Sequence, residues 1–594
     1  MNPIPVPAVP WQVTGNHWLA LPCIHPLDGA LHALNVLHRG SRAALEFAGA
    51  PQFLDGEGPA LLRPVLRVDG ERRELGAQGL AWERLYEWLP TFTSTVGTLV
   101  VRGTIFAPYG RAADVAGAVY AIIVENRGTA EARITLSVEG VLGHRQLRVR
   151  TPRAAADAAR LAVVGNDVVV LEGTAQPSLA ALAIAPDGPA RVETTPGSAP
   201  GFALHRDLVV PAGGRGSAAF YIAAGPERDG AEATVAVMRR RGWSELLSTT
   251  RDALQSLEQT VGHEGIDRLI NRNLLFAYFY AAGRALDDAH YYLVHSRAPW
   301  NGYGVTARDW EALMWTLPAV QLADASLARE LLLRTCELHG YAPGDGVHYL
   351  DGTLFEPGLS LEGVASFALA IDRYIRETGD EQIVDEPVVA DTLYVSSEDL
   401  ASRRDQHVPL YTTEVLLSGA PAPHPFTLHG NAVAAQALDV FRRTLDEESA
   451  RAVEDPEAVR AALRRHFSIE QEGRVTFASA VDLAGHTVAD DEPQGSAYWL
   501  PLYNAVERHD SIYRRTVRGL GAEPRSLAQQ CARLMGPDAA EVLQWLRRAP
   551  LDNGLAAEVV DADGCAITNG GDAALSALLA WSVWYAVHAL GVRT

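Results

Sequence analysis

"WSELLSTTRDALQSLEQT" (243–260) marks the point where the texture of this 594-residue chain changes. Its apolar residues return at three- and four-residue intervals and the rest are polar, which predicts an exposed linker helix. Upstream, to about residue 240, the pattern is β. The runs "TLVVRGTIFAP" (98–108), "AVYAIIVENRG" (118–128), "EARITLSVEG" (131–140), "DVVVLEG" (167–173) and "GSAAFYIAAG" (216–225) are short, rich in Val, Ile and aromatics, and bounded by turn residues. "ENRGTAEA", between two of them, predicts a hairpin. Many short strands without intervening helices predict an antiparallel β-sandwich.

Downstream the apolar period becomes helical. Helices are predicted over 264–285, 307–323, 325–338, 361–378, 427–445, 455–466, 496–507, 537–548 and 571–590. Roughly ten to twelve helices over about 340 residues fit helical hairpins arranged in a ring. The boundaries that follow are a β-sandwich over 1–240, a linker helix over 241–262 and a helical domain over 263–594. Long loops at 341–360, 404–426, 486–495 and 551–570 interrupt the helices, and loops of that length in a compact domain are usually functional.

Composition removes several classes of function. A net charge of -21 argues against a nucleic-acid partner and against anionic membranes. All 51 basic residues are arginine, which excludes Schiff-base lysine chemistry and a Walker loop. The four cysteines are scattered, with no CxxC pair, so neither a disulfide framework nor a zinc cluster is expected. The start, "MNPIPVPAVPWQVTGNHW", has no charged and apolar segments of a signal peptide, and no apolar run is long enough for a membrane span. A cytoplasmic protein is the expectation, with a homo-oligomer left open.

Polar chemistry collects in the loops. "WNGYGVTARDWEALMWTLP" (300–318) carries Trp300, Tyr303, Arg308, Asp309 and Trp310. "DGTLFEPGLSLEG" (351–363) carries Asp351, Glu356 and Glu362. "LYTTEVLLSGAPAPHPFTLHGN" (410–431) carries Tyr411, Glu414, His424, His429 and Asn431. "NGLAAEVVDADGCAITNGGD" (553–572) carries Glu558, Asp561, Asp563 and Asn569, and "DDEPQGSAYWLPLY" (490–503) adds Asp490, Asp491 and Glu492. Carboxylates and aromatics on loops suit a carbohydrate. Aromatic faces stack on the C–H face of a pyranose, charged groups grip hydroxyls, and two carboxyls can flank a glycosidic bond. Each cluster also has a structural reading: a helix-start ion pair for Arg308–Asp309, a capping role for Glu356 and Glu362, a surface acid for Glu414, and turn residues for Asp561 and Asp563. Trp300, outside the predicted helix, is the better stacking platform. "GYGVTA" (302–307) lacks the βαβ context of a dinucleotide fingerprint, and HExxH and GxSxG are absent.

Four segments resemble the glycogen-debranching enzymes and other six-hairpin (α/α)6 glycosidases, a group that includes bacterial glucoamylases, trehalases and exo-mannosidases. They are "WNGYGVTARDWEALMWTLPAVQLADASLARELL" (300–332), "RYIRETGDEQIV" (373–384), "DDEPQGSAYWLPLY" and "LAAEVVDADGCAITNGGDAALSALLAWSVW" (555–584). The resemblance implies a β-sandwich followed by an (α/α)6 toroid. It also implies an inverting glycoside hydrolase acting on a small, α-linked glycoside, without metal or organic cofactor. By position it makes Glu558 the general base, and Arg308 with Asp309 the pair that holds the terminal sugar. Where the mannosidase-type acid would stand in an Asp-Asp pair, this chain has Gly419 and Ala420. Glu414, or failing it Asp309, is then the expected acid, with Glu362 a further candidate. Trp300, Tyr303, Trp310, Glu362, His429, Asn431 and Asp491 are expected to bind substrate. The alternatives are a glycoside phosphorylase, a polysaccharide lyase using Tyr411, His429 and Asn431, and a sugar-binding protein without catalysis.

Overall fold

In the computed structural model, residues 6–111, 113–150, 152–153, 159–471, 473–520 and 525–593 are described. Among them the N-terminal part forms three antiparallel sheets. The largest has eight strands in the order Ala159–Val164, Val168–Gly173, Ala181–Pro186, Arg215–Gly225, Gly117–Asn126, Leu99–Phe106, Leu89–Val96 and Ala81–Leu85. A five-stranded sheet faces a shared core with it, through Leu136 and Leu204 on one side and Phe92, Ile122 and Phe220 on the other.

The predicted strands are present, but the predicted hairpin is not. Gly117–Asn126 pairs with Leu99–Phe106 and Arg215–Gly225, whereas Ala132–Val141 pairs with Arg63–Val68 and Gly201–Val210 in the other sheet. "ENRGTAEA" therefore arches from sheet to sheet. The Asn126 amide holds the arch by donating to the carbonyls of Ala130 and Val210. A turn signal fixes a reversal of the chain, not the sheet the chain returns to. Along Gly117–Asn126, Val119 and Ala121 face the helices while Tyr120, Ile122 and Val124 face the sandwich core, because successive side chains alternate across a strand. The central strands of this sheet, such as Ala181–Pro186 and Gly117–Asn126, are buried on both sides, which explains why they read as continuous apolar runs.

Helices take over at α1 (Arg228–Arg241), inside the stretch expected to be β, followed by α2 (Trp243–Leu257) and α3 (Glu264–Tyr280). "AEATVAVM" is too short for periodicity alone to separate helix from strand. Its Ala231, Val235 and Met238 form one buried stripe, and α1 packs on the strand Arg215–Gly225. Next come a π-helical turn, Glu311–Thr316, running into α4 (Leu317–Ala323), then α5 (Ala325–His339), α6 (Leu361–Thr378), α7 (Pro387–Ser402), α8 (Leu428–Thr444), α9 (Glu447–Ala452) and α10 (Pro456–Phe467). The series ends with α11 (Ser511–Gly519), α12 (Leu527–Arg533), α13 (Ala539–Leu546) and α14 (Ala573–His588). The helix expected over 496–507 is only a 3-10 turn, Ala497–Trp499, ending before Pro501. Helix α7 was not expected: its Val, Thr and Tyr residues favour strand by intrinsic preference, and packing overrides it.

Successive segments pack on one another. The π-turn contacts α6, α6 contacts α8, α8 contacts the turn Ala497–Trp499, that turn contacts α12, α12 contacts α14, and α14 returns to the π-turn. Helices α3, α5, α7, α10, α11 and α13 each lie against one or more members of that circuit.

Arginines bind the two parts together. Arg297, wholly buried, donates to the carbonyls of Asn16, His17, Trp18, Asn35 and Phe279. Burying a guanidinium is costly, and these bonds from both terminal nitrogens offset much of that cost. Arg42 pairs with Asp351 and Arg150 with Glu356, both at 2.8 Å, so the two acids of that loop clamp the β part. The four cysteines are unpaired. Among the described residues no helix is long and apolar enough to cross a membrane.

Candidate active site

The N-terminal ends of the packed helical segments meet through side chains. Glu311 opens the π-turn and Asp572 caps α14, and His295 sits between them with Nδ1 2.9 Å from Glu311 and Nε2 2.8 Å from Asp572. Trp310 stands edge-on to His429 of α8 at 5.4 Å, and His429 Nδ1 lies 3.1 Å from Glu362 Oε1 in the first turn of α6. Asp491 receives the backbone N–H of Ala497 and the side-chain amide of Gln529 on α12. Glu311, His429, Glu362, Asp491 and Asp572 thus gather at one end, where helix dipoles favour carboxylates. A π-helical turn at this point is a feature that recurs at functional sites.

Glu558 stands on the strand Ala557–Val560, in the small sheet just before α14. Tyr303 stands beside it and works against the rise of its pKa, and the Tyr303 ring lies 4.5 Å from that of His295. Burial pushes the Glu558 carboxyl above its ordinary range, the nearby negative charges of Asp572 and Glu311 add to this, and His295 opposes it. Burial works against a charged His295, but Asp572 and Glu311 overcome it and push the imidazole up to about 10. Three acids therefore share one cation, and Glu558 is the one without a close ion pair. His295, Glu311 and Asp572 were not foreseen. Glu311 reads as one more helix residue, His295 as a lone histidine and Asp572 as a cap.

A second acidic group lines a cavity of about 340 Å3. Glu362 and His429 form its polar wall with Asp490, Asp491 and Glu492, and Leu416, Phe477 and Leu520 supply apolar surface. Glu362 is 2% exposed, and its Oε2 and the His429 Nε2 have no hydrogen-bond partner. Glu492 accepts from the Ser418 N–H at 2.9 Å. Burial, with the like charge of Glu362 beside it, pushes Glu492 up to about 7. A smaller cavity, lined by Arg308, Trp310 and Glu311, meets this one at Leu416.

Several expected roles do not survive the geometry. The Glu414 side chain is 56% exposed and pairs with Arg403 at 2.8 Å, which holds it below the usual carboxylate range. It has none of the desolvation a proton donor needs at neutral pH. Asp309 is buried, and both its oxygens are taken, by His339 Nδ1 at 2.7 Å and by the Gly344 N–H at 2.8 Å. Burial alone would raise its pKa, but His339, His348 and the Gly344 N–H together hold it low, the opposite of what a proton donor needs. Trp300 is no exposed platform: it is 7% exposed, and its indole lies against Gly571 ahead of α14. Trp310 is the tryptophan at the cavity. Asn431 spends its amide on the backbones of Tyr411 and Thr427, and Tyr411 is buried, so two of the three residues expected of a lyase form a loop clamp, while His429 stays at the cavity.

Arg308 donates to the Leu417 carbonyl at 2.6 Å and lies flat on Gly419. A Cβ there would come within 2.2 Å of the guanidinium, so a glycine at 419 makes room for Arg308. Asp309, His339 and His348 form the one group among the described residues whose ligand atoms, all within 4.8 Å of one another, could hold a metal ion. The hydrogen bonds of Asp309 already satisfy its carboxylate.

No family model matches the sequence, and no curated protein matches it. Solved structures do. A human-microbiome protein assigned provisionally as a kojibiose phosphorylase is 10% identical, with a TM-score of 0.58 over 98% of this chain and 86% of that one. A bacterial glucoamylase complexed with acarbose is 9% identical, with a TM-score of 0.59 over 98% of this chain and 94% of that one. This chain has their fold. At such identity the likeness concerns architecture, and the resemblance to six-hairpin glycosidases stands at that level.

Proposed function

We propose that the protein is a glycoside-active enzyme, an inverting hydrolase of a small α-linked glycoside. The circuit of packed segments is read as an (α/α)6 toroid, with its active site at the N-terminal ends of the inner helices. The observation that carries this reading is the pair of separate, partly desolvated carboxyl groups at those ends: Glu558 beside Tyr303 and His295, and Glu492 beside Glu362 and His429. Trp310 and Arg308 line the small cavity beside Glu311, and Trp310 also touches His429.

In this reading Glu558 takes a proton from water as the water oxygen attacks the anomeric carbon. The bond from that carbon to the leaving oxygen breaks, and Glu492 gives its proton to that oxygen. A donor near pH 7 needs the raised pKa that burial and Glu362 supply. Glu492 takes the role expected of Glu414 or Asp309. A carboxyl separation of roughly 6.5–9.5 Å in the substrate complex accompanies inversion. Phosphorolysis at the same site, with phosphate in place of water, is the second reading, and Arg308, whose charge reaches Tyr303 and Glu311, is the cation that favours it.

The test is a panel of aryl glycosides and disaccharides assayed with and without phosphate, with the anomer of the first product read by proton NMR. Inverted product without phosphate supports the hydrolase. Turnover only with phosphate moves the assignment to a phosphorylase. Retained configuration defeats the inverting scheme, and silence with every substrate defeats the enzymatic reading.

A further inference from the structure

We propose that the opposite end of the helical part carries a binding pocket for a phosphate-bearing small molecule, centred on Arg373. The pocket has a volume of about 570 Å3, within the range of small-molecule sites. It is lined by Arg373, Arg376, Arg443 and Arg508, with Trp581 and Tyr503 as aromatic wall. Helix α6 carries Glu362 in its first turn and Arg373 eleven residues later, which puts the two ends about 16 Å apart along the helix. Tyr503 lies between them, for its ring also reaches His429 at 5.5 Å and Trp310 at 6.2 Å.

Helix C-termini attract arginines without any ligand, through the dipole. That accounts for Arg376 and Arg443, which share Asp372 at 2.9 and 2.8 Å. Arg373 is different. It is 7% exposed, its guanidinium lies 4.9 Å from the Trp581 ring centre, and its Nη1 has no hydrogen-bond acceptor. The carboxylate it feels most, Glu377, accepts instead from Gln321 at 3.0 Å. A buried cation with an open donor is costly unless an anion completes it. Around this cavity four arginines face Asp372 and Glu377, in a chain whose net charge is -21. The local excess of positive charge runs against the whole molecule. The planar fork of a guanidinium matches two phosphate oxygens, and the exposed heads of Arg376 and Arg443 can turn toward a third.

The experiment is calorimetric titration of the full chain with inorganic phosphate and, separately, with glucose 6-phosphate. Saturable binding of one molecule per chain is expected. Arg373→Gln should abolish it. The triple variant Arg376→Gln/Arg443→Gln/Asp372→Asn, which removes the two surface heads together with the buried carboxylate they share, should weaken it about tenfold while keeping the fold. Glu558→Gln at the other end should leave it intact. Tighter binding of glucose 6-phosphate than of phosphate makes the ligand a sugar phosphate, whereas equal binding makes it the free anion. Failure of both probes to saturate overturns the proposal. So does binding of undiminished affinity in the triple variant, which decides the matter even if Arg373→Gln does not fold, or binding that is lost in Glu558→Gln.

Discussion

Asp309 and Glu558 are both acids next to a histidine, yet their surroundings have opposite effects. Asp309 meets one histidine and one backbone N–H, and each of its oxygens has a donor. Glu558 stands beside a histidine already shared by Glu311 and Asp572. Burial alone would raise both pKa values; a committed partner reverses the effect for Asp309, and two like charges reinforce it for Glu558. The ratio of acids to cations, more than burial, separates a structural carboxylate from one free to accept a proton.

The contrast is sharpest where charge is removed. Glu558→Gln should lower kcat by about a hundred- to ten-thousand-fold while leaving the melting temperature close to native, as measured by substrate turnover and circular dichroism. Asp309→Ala should do the reverse in kind. It leaves His339 unpaired beside His348 and should cost about 3–5 kcal/mol of stability in denaturant titration. Because the folded pKa of Asp309 is depressed, its contribution is complete above the ordinary carboxyl pKa and is lost as pH falls through the folded value. A variant at Asp309 that kept full stability but lost turnover would break the comparison.

Smaller effects bear on the second carboxyl. If Glu492 is the proton donor, kcat/KM should fall as pH rises through about 7, since the donor must be protonated. Glu362→Gln removes the negative charge that helps raise Glu492, so this alkaline limb should move to lower pH. A limb that stays in place would detach Glu492 from the chemistry. Smallest of all, Glu414→Ala should change stability by less than about 0.5 kcal/mol and leave turnover unchanged, because a solvated ion pair contributes little. A large loss of activity there would restore Glu414 as the acid.

Much of the local architecture was legible in the sequence. The strands 98–108 and 118–128 and the helices 361–378 and 571–590 agree closely with the observed elements, since period and composition are local properties. The loops that hold the polar clusters were legible too, and Glu558 stands in one of them. Partner choice was not. "ENRGTAEA" marks a reversal whether its strands share a sheet or face each other across a core. Glu414 and Glu492 look alike as loop acids, and what tells them apart is burial with Glu362 nearby for Glu492, and exposure with Arg403 beside it for Glu414.

By itself, then, the sequence determined a β part followed by a helical part, an acidic chain without lysine, and loops rich in carboxylates and aromatics. Tertiary structure alone decided which carboxyl groups are pushed above their ordinary range and which are held below it. That choice depends on charges brought together from residues as distant as His295 and Asp572, or Glu362 and Glu492. Electrostatic energy follows separation in space and local desolvation, and neither is written in the spacing of residues along a chain.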